Sequence, residues 1–171
     1  IVPCFYAKEN FYLIPDGSGN WKKTDPRIDN DRTTELNQKH NGNLLNLIRL
    51  VKYWNKRKVT IAINSYLLEC MILNIYDNID TKDHWWIDIE FENTLYELSK
   101  AIKKDVEDPK GIQGNINNFN SNDREKISDA LYEAYKKAVE ARSYESDKKQ
   151  KEAINKWREV LGSDFPKYTG Q

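Results

Sequence analysis

The segment of residues 63–76 constrains the fold of this chain most, because apolar residues occupy nearly every side of its helical wheel. Such a helix is stable in water only when other elements cover it on all sides. The chain has 171 residues, of which 39% are hydrophobic, so it is long enough to bury a core of its own. The sequence therefore predicts a core helix surrounded by several others.

The flanking segments carry the apolar stripes that such packing partners need, at spacings of three and four residues. One stripe precedes the core helix and three follow it: Leu44, Leu47, Ile48, Val51 and Trp54; Ile87, Phe91, Leu95, Leu98 and Ile102; Ile127, Leu131, Ala134, Ala138 and Ala141; and Ala153, Ile154, Trp157, Val160 and Leu161. A short helix is predicted over residues 34–39, before a break at Asn41-Gly42. The predicted fold class is mainly α, a helical bundle.

The predicted ends of the three later helices depend on turn and cap residues. Pro109 and Gly111 are expected to end the helix that begins near Ile87. Asn122, with an acid three residues later, resembles a capping box and is predicted to start the next helix. Ser146 is predicted to start the last one, with Gly162 just past its end.

The first residues predict a β-hairpin in "CFYAKENFYLIPD", with the turn at Lys8-Glu9-Asn10. A hairpin is only marginally stable alone, so we expect the other strands of its sheet elsewhere, upstream of Ile1. The chain begins with isoleucine rather than methionine, and we expect it to be cut from something larger. Residues 17–32 are predicted to be an irregular connector anchored by Trp21, with clustered aspartates as turn residues. The predicted domains are residues 1–32 and 33–171.

Composition excludes several classes of function. The formal net charge is zero, which argues against a nucleic-acid partner, and no apolar run is long enough to span a membrane. Cys4 and Cys70 are far apart, so neither a disulfide framework nor a zinc cluster is predicted, and the cytoplasm is the expected location. His40 and His84 have no cysteine or carboxylate at metal-ligand spacing. No phosphate-binding glycine loop or nucleophile elbow occurs.

The basic residues between 49 and 58 are the first indication of function. Arg49, Lys52, Lys56, Arg57 and Lys58 occur without an acid among them, which predicts a surface that attracts anions. The alternative is a solvated helix end, where cations are favoured by the helix dipole. Lys52 falls at the edge of the apolar arc, so its ammonium either extends to solvent or pairs with an anion.

Ser65 and Tyr66 stand at the beginning of the core helix. Free N–H groups and the positive end of the helix dipole favour anions there, and a serine hydroxyl can hydrogen-bond phosphate. Alternatively, Asn64 or Ser65 is only the N-cap, and Tyr66 is a core residue rather than a face on which a base stacks. Together, Lys52, Ser65 and Tyr66 form a plausible clamp for a nucleoside triphosphate.

The order of short motifs along the chain resembles that of CD-NTases, the bacterial cGAS/DncV-like nucleotidyltransferases related to oligoadenylate synthase. The motifs are "IVPCF" before a hairpin, "W" and "TDP", "LIRLVKYWN", "SYLLE", "DP.G" after a helix, and a final "W..VLG..FP". The resemblance spans nearly the whole chain but only the C-terminal part of such an enzyme. It implies that the hairpin is left from the mixed sheet of the nucleotidyltransferase core.

By this resemblance, Lys52 and Ser65 would bind the triphosphate of the donor nucleotide, Tyr66 would stack on a base, and Asn37 and Asp108 would contribute to base selection. The Mg²⁺ ions and the carboxylates that hold them would belong to the missing N-terminal lobe, so no catalytic residue and no metal ligand is expected here. The zinc-binding His-Cys insertion of the animal DNA sensor is absent from the sequence.

The resemblance implies a parent enzyme that joins nucleoside triphosphates into cyclic di- or trinucleotides, in anti-phage signalling with a regulatory or effector protein. The chain alone is expected to be inactive. Two alternatives stay open: a nucleotidyltransferase that modifies RNA or a small molecule, and a non-catalytic helical interaction module.

Overall fold

The computed structural model describes residues 4–7, 11–58 and 60–170, and the turn predicted at Lys8-Glu9-Asn10 lies outside these ranges. Within them, the chain forms three strands and then six helices. In chain order they are β1 (Phe5–Ala7), β2 (Phe11–Pro15), β3 (Trp21–Thr24), α1 (Pro26–Lys39), α2 (Leu44–Lys58), α3 (Ser65–Asp77), α4 (Ile87–Ala101), α5 (Ser121–Ser146) and α6 (Gln150–Leu161). The mainly α prediction with an N-terminal hairpin is confirmed. No helix in the described ranges is both long enough and apolar enough to cross a membrane.

The predicted hairpin is confirmed, but it is not alone, because β3 pairs antiparallel with β2 and completes a three-stranded sheet. The prediction of an irregular connector is therefore wrong for residues 21–24. The Asp16 side chain accepts hydrogen bonds from the backbone N–H groups of Ser18 and Asn20, at 2.8 and 3.0 Å, and so reverses the chain. The sequence "WKKT" has no buried apolar face to reveal this strand, since it is defined by backbone pairing.

Helix α1 begins at Pro26, eight residues before the predicted start at residue 34. Asp25 is its N-cap, because its side chain accepts a hydrogen bond from the Arg27 N–H at 3.1 Å, and proline is favoured at the first helical position. Asp29 and Asp31 are therefore helical and not turn residues. The predicted domain boundary after residue 32 falls within this helix, and the division into two functional parts stays a prediction.

The predicted core helix is confirmed as α3, where seven residues are buried: Leu67, Leu68, Cys70, Met71, Ile72, Leu73 and Tyr76. The five stripe residues predicted for α2 are all buried against it. In the last helix, four of the five predicted stripe residues are buried and Ile154 is half-buried. The N-terminus of α3 is the end of this helix that faces the sheet.

Three helix boundaries differ from the predictions for local reasons. Helix α4 ends at Ala101, well before Pro109. The Asn117 amide donates to the carbonyls of Ile102 and Lys104, at 2.8 and 2.7 Å, and so replaces the helical hydrogen bonds that these carbonyls lack. Helix α5 begins two residues early, with Asn120 rather than Asn122 as its N-cap. Helix α5 also continues through Ser146, so α6 starts only at residue 150.

Candidate functional site

A cavity of about 580 Å³ lies between the sheet and the helical bundle. Strands β2 and β3, helix α1, the N-terminus of α3 and part of the loop between α4 and α5 form its walls. Its polar or charged lining residues are Lys22, Lys23, Thr24, Asp29, Asn64, Tyr66, Lys110, Gln113, Asn115 and Asn118. The cavity therefore places the N-terminus of α3 opposite the lysines of β3.

Asn64, not Ser65, is the N-cap of α3, because the Asn64 Oδ1 atom accepts a hydrogen bond from the Tyr66 N–H at 2.9 Å. Ser65 is exposed at the first helical position, and its hydroxyl has no hydrogen-bond partner among the described residues. The alternative in which Ser65 merely caps the helix is thereby removed. Its hydroxyl stands beside N–H groups that favour an anion.

Lys52 is half-buried and forms an ion pair with Glu69 of α3. Glu69 and Ser65 are four residues apart and so lie on the same side of this helix. Lys52 therefore reaches the α3 face that carries Ser65, about one turn further along the helix. Lys52 and Ser65 are not among the residues that line the cavity. The α3 face that carries Ser65 therefore lies beside the cavity and is not part of its wall.

The other basic residues of this stretch differ in their contacts. Arg49 donates to Asn46 at 3.1 Å, while Arg57 forms an ion pair with Asp164 near the C-terminus. Lys56 is exposed, and the side chain of Lys58 lies outside the described part of the chain. The anion-attracting surface therefore stays a prediction, with Arg57 already paired to a carboxylate.

Tyr66 is fixed at the cavity wall by its hydroxyl group. This hydroxyl lies 2.7 Å from Asp108 Oδ1 and 3.1 Å from Asp29 Oδ1, and the Lys110 ammonium lies over the ring, 4.0 Å from its centre. Burial, and then the hydrogen bond to Asp108, raises the pKa of Tyr66 far above its ordinary value, so the phenol stays protonated. The ring is thus held in one orientation beside the cavity.

Asp108 is a fully satisfied buried carboxylate rather than a free one. Its Oδ1 atom accepts from Tyr66 and pairs with Lys110 Nζ at 3.1 Å, while its Oδ2 atom accepts from the N–H groups of Ile112 and Gln113 at 3.3 and 3.1 Å. Its side chain has no exposed surface. Asp108 therefore organises the loop after α4, and this geometry does not support the predicted direct contact with a base.

Asn37 has a structural contact as well. Its Oδ1 atom accepts a hydrogen bond from the Leu45 N–H at 3.0 Å and so caps the first turn of α2. It does not line the cavity. The predicted role of Asn37 in base selection therefore has no support from its position.

Asp29 and Lys110 are the site residues that the sequence reasoning missed. They are 81 positions apart, and the Lys110 ammonium donates to both Asp29 oxygens at 3.2 and 3.0 Å. The cluster of aspartates around Asp29 is typical of turns, so the sequence predicts Asp29 in the connector and not in a helix. The signal that could have found it was the Asp25-Pro26 helix start, which places Asp29 on the first turn of α1.

The acid stability of the protein is expected to depend on Asp108. Burial alone would raise its pKa, but the hydrogen bonds from Tyr66 and Lys110 outweigh burial and lower the pKa from 3.8 to about 2. Because the folded-state pKa is lowered, the stabilisation is complete above about pH 4 and is lost as the pH falls through about 2. Denaturant unfolding should show a loss of about 2 kcal/mol over this range.

The Asp108→Asn variant provides the control for this titration, because it removes the ionisable group. Its loss of stability between pH 4 and pH 2 should be smaller than that of the wild type. Equal losses in the two proteins would contradict the assignment to Asp108.

The chain matches no protein-family model. It is 44% identical over 174 residues to a probable cyclic nucleotide synthase of Bacillus cereus, covering 98% of this chain and 51% of the relative. It is 27% identical over 175 residues to the cyclic AMP-AMP-AMP synthase of an Acinetobacter strain, covering 98% and 50%. The chain thus spans about half the length of the curated relatives it matches.

Two solved structures show the same fold at low sequence identity. Escherichia coli CdnC, solved with ATP, superposes with a TM-score of 0.76 at 16% identity, over 97% of this chain and 60% of that one. The GTP-bound form of Vibrio cholerae DncV gives 0.74 at 19% identity, over 91% and 42%. By sequence, the chain is similar to bacterial cyclic nucleotide synthases, and it has the fold of the matching parts of CdnC and DncV.

Proposed function

We propose that this chain is the helical, nucleotide-binding half of a nucleotidyltransferase that makes cyclic di- or trinucleotides from nucleoside triphosphates. The observation that carries the proposal is the 44% identity to a probable cyclic nucleotide synthase across 98% of the chain. Structural neighbours solved with ATP or GTP support nucleoside triphosphates as ligands. We also propose that the intact protein lies in the cytoplasm and acts with an effector protein in anti-phage signalling.

Lys52, Ser65 and Tyr66 are the proposed clamp for the donor nucleotide. Ser65 offers an unpaired hydroxyl at a helix N-terminus, and Lys52 brings an ammonium to the same face of α3. When a triphosphate binds there, the ammonium would exchange its contact with Glu69 for a charge-assisted hydrogen bond to a phosphate oxygen. The ring of Tyr66 would then lie beside the base, at the cavity wall.

The catalytic metal ions are proposed to lie outside this chain. Among the described residues, no group of three or more His, Cys, Asp or Glu side chains is arranged to hold a metal ion. The sheet suggests where the remaining half would pack. Phe5 and Trp21, with ring centres 5.0 Å apart, are 62% and 49% exposed. Such paired aromatic rings favour burial under another element.

The proposed function is tested by product analysis of the intact protein. Incubation with the four nucleoside triphosphates and Mg²⁺, followed by mass spectrometry, should give cyclic oligonucleotides and pyrophosphate, and the 171-residue chain alone should give neither. Linear 3′ extension of RNA would favour the RNA-modifying alternative. Absence of nucleotide binding would favour the interaction module.

A further inference from the structure

Asp29 is the one carboxylate among the described residues that line the cavity. Its side chain is 32% exposed, whereas that of neighbouring Asp108 is fully buried. Because an ionised carboxylate only accepts hydrogen bonds, Asp29 presents the cavity with an acceptor and no donor. It therefore complements ligand groups that carry N–H or O–H bonds.

The contacts of Asp29 leave an acceptor position open on Oδ2. The Lys110 ammonium donates to Oδ1 at 3.2 Å and to Oδ2 at 3.0 Å. The Tyr66 hydroxyl lies 3.1 Å from Oδ1, but its single proton is directed at Asp108 Oδ1, which is closer at 2.7 Å. Each carboxylate oxygen has two lone pairs. Oδ2 therefore keeps one lone pair for a ligand. Lys110, only 3% exposed, cannot turn away without leaving Asp108 unpaired.

The charges of this group favour a base over a phosphate. One ammonium, Lys110, faces two carboxylates, Asp29 and Asp108, so the group carries a net charge of −1. A phosphate would be repelled next to these carboxylates, whereas Lys22 and Lys23, on the β3 wall of the same cavity, would attract it. The Lys52 and Ser65 face of α3 adjoins the cavity and carries the groups suited to phosphate. A nucleotide oriented by these charges would place its base at the Asp29 end, beside the Tyr66 ring.

We propose that Asp29 determines base specificity by accepting a hydrogen bond from an exocyclic amino group of the bound nucleotide. Adenine, guanine and cytosine carry such a group, and uracil carries a carbonyl oxygen in its place. A carbonyl facing the open lone pair of Oδ2 places two acceptors against each other and leaves both unpaired. This inference rests on the proposed function, since it requires that the cavity binds a nucleotide.

The direct test measures the binding of non-hydrolysable ATP and UTP analogues to the intact protein by calorimetry. ATP should bind about 10-fold more tightly than UTP, as expected for one hydrogen bond to a charged acceptor. In Asp29→Asn, the remaining oxygen should stay with Lys110, and the amide nitrogen, which cannot accept from the ammonium, should turn its N–H bonds towards the ligand. That donor matches the uracil carbonyl, so the preference should fall below about threefold.

Asp31→Asn, an exposed change two residues further along α1, is the matched control and should keep the wild-type preference. A test without mutation compares ATP with purine riboside triphosphate, which lacks the amino group and should bind the wild type about 10-fold less tightly. Equal affinities for these two ligands, or an unchanged preference in a folded Asp29→Asn protein, would overturn the assignment of Asp29. A wild type that binds none of these nucleotides would instead overturn the proposed function.

Discussion

Replacing Lys52 with methionine in the intact protein is expected to weaken nucleoside triphosphate binding by roughly 10- to 100-fold, because a charge-assisted hydrogen bond contributes about 1.5–3 kcal/mol. Methionine keeps most of the apolar stem but removes the ammonium. The lost ion pair with Glu69 is partly exposed at both ends, at 32% and 28%, so its contribution to folding is small. The melting temperature should therefore stay within about 2 °C of the wild type. Isothermal titration calorimetry and thermal unfolding measure the two quantities.

Lys126→Met is the matched control, because Lys126 is exposed on α5, outside the proposed clamp. It should leave nucleotide affinity unchanged. Ser65→Ala should also weaken nucleotide binding, by a smaller factor than Lys52→Met. If Lys52→Met binds nucleotides as tightly as the wild type, the ion pair with Glu69 is its whole role, and the clamp proposal is wrong.

The Asp108→Asn substitution should have the largest effect on stability of any single change at the site. All the groups that point at its two oxygens are donors: the Tyr66 hydroxyl, the Lys110 ammonium and three N–H groups of the loop. An asparagine NH₂ group therefore faces a donor in either orientation, and Lys110 loses a buried partner. We expect a loss of about 3 kcal/mol, or roughly 6–12 °C in melting temperature.

Asp105→Asn is the control for this measurement. Asp105 lies three residues before Asp108, and its side chain is 65% exposed, although it also forms an ion pair, with Arg124. Loss of an exposed pair should change the unfolding free energy by less than about 1 kcal/mol. Similar melting temperatures for the Asp108→Asn protein and the wild type would show that the loop does not depend on this carboxylate.

The helical bundle was predictable because its signal is local and periodic. The stripe of α2 and the all-round apolarity of α3 follow from residues within one or two turns, and both elements were found where predicted. Strand β3 was missed because its side chains are mostly exposed and only its backbone pairing with β2 defines it. The sequence predicts too short an α1, because clustered aspartates are typical of turns, whereas Asp25 is the N-cap of this helix.

The site was predictable only in part. Lys52 of α2 reaches the side of α3 that carries Ser65, and the clamp of these residues stays a prediction. The group of Asp29, Tyr66, Asp108 and Lys110 could not be read from the sequence, because its members come from α1, α3 and a loop. No periodic pattern links residues 81 positions apart, and only the folded arrangement shows that Asp108 is buried in the loop while Asp29 faces the cavity.

The most direct measurement is the structure of the intact protein crystallised with a non-hydrolysable ATP analogue. The account predicts triphosphate oxygens within hydrogen-bonding distance, about 3 Å, of Lys52 Nζ and Ser65 Oγ, with the adenine beside the Tyr66 ring. It also predicts that Lys52 moves from Glu69 towards the phosphates. A nucleotide bound elsewhere, with Lys52 still paired to Glu69 and Ser65 still open to solvent, would contradict the account.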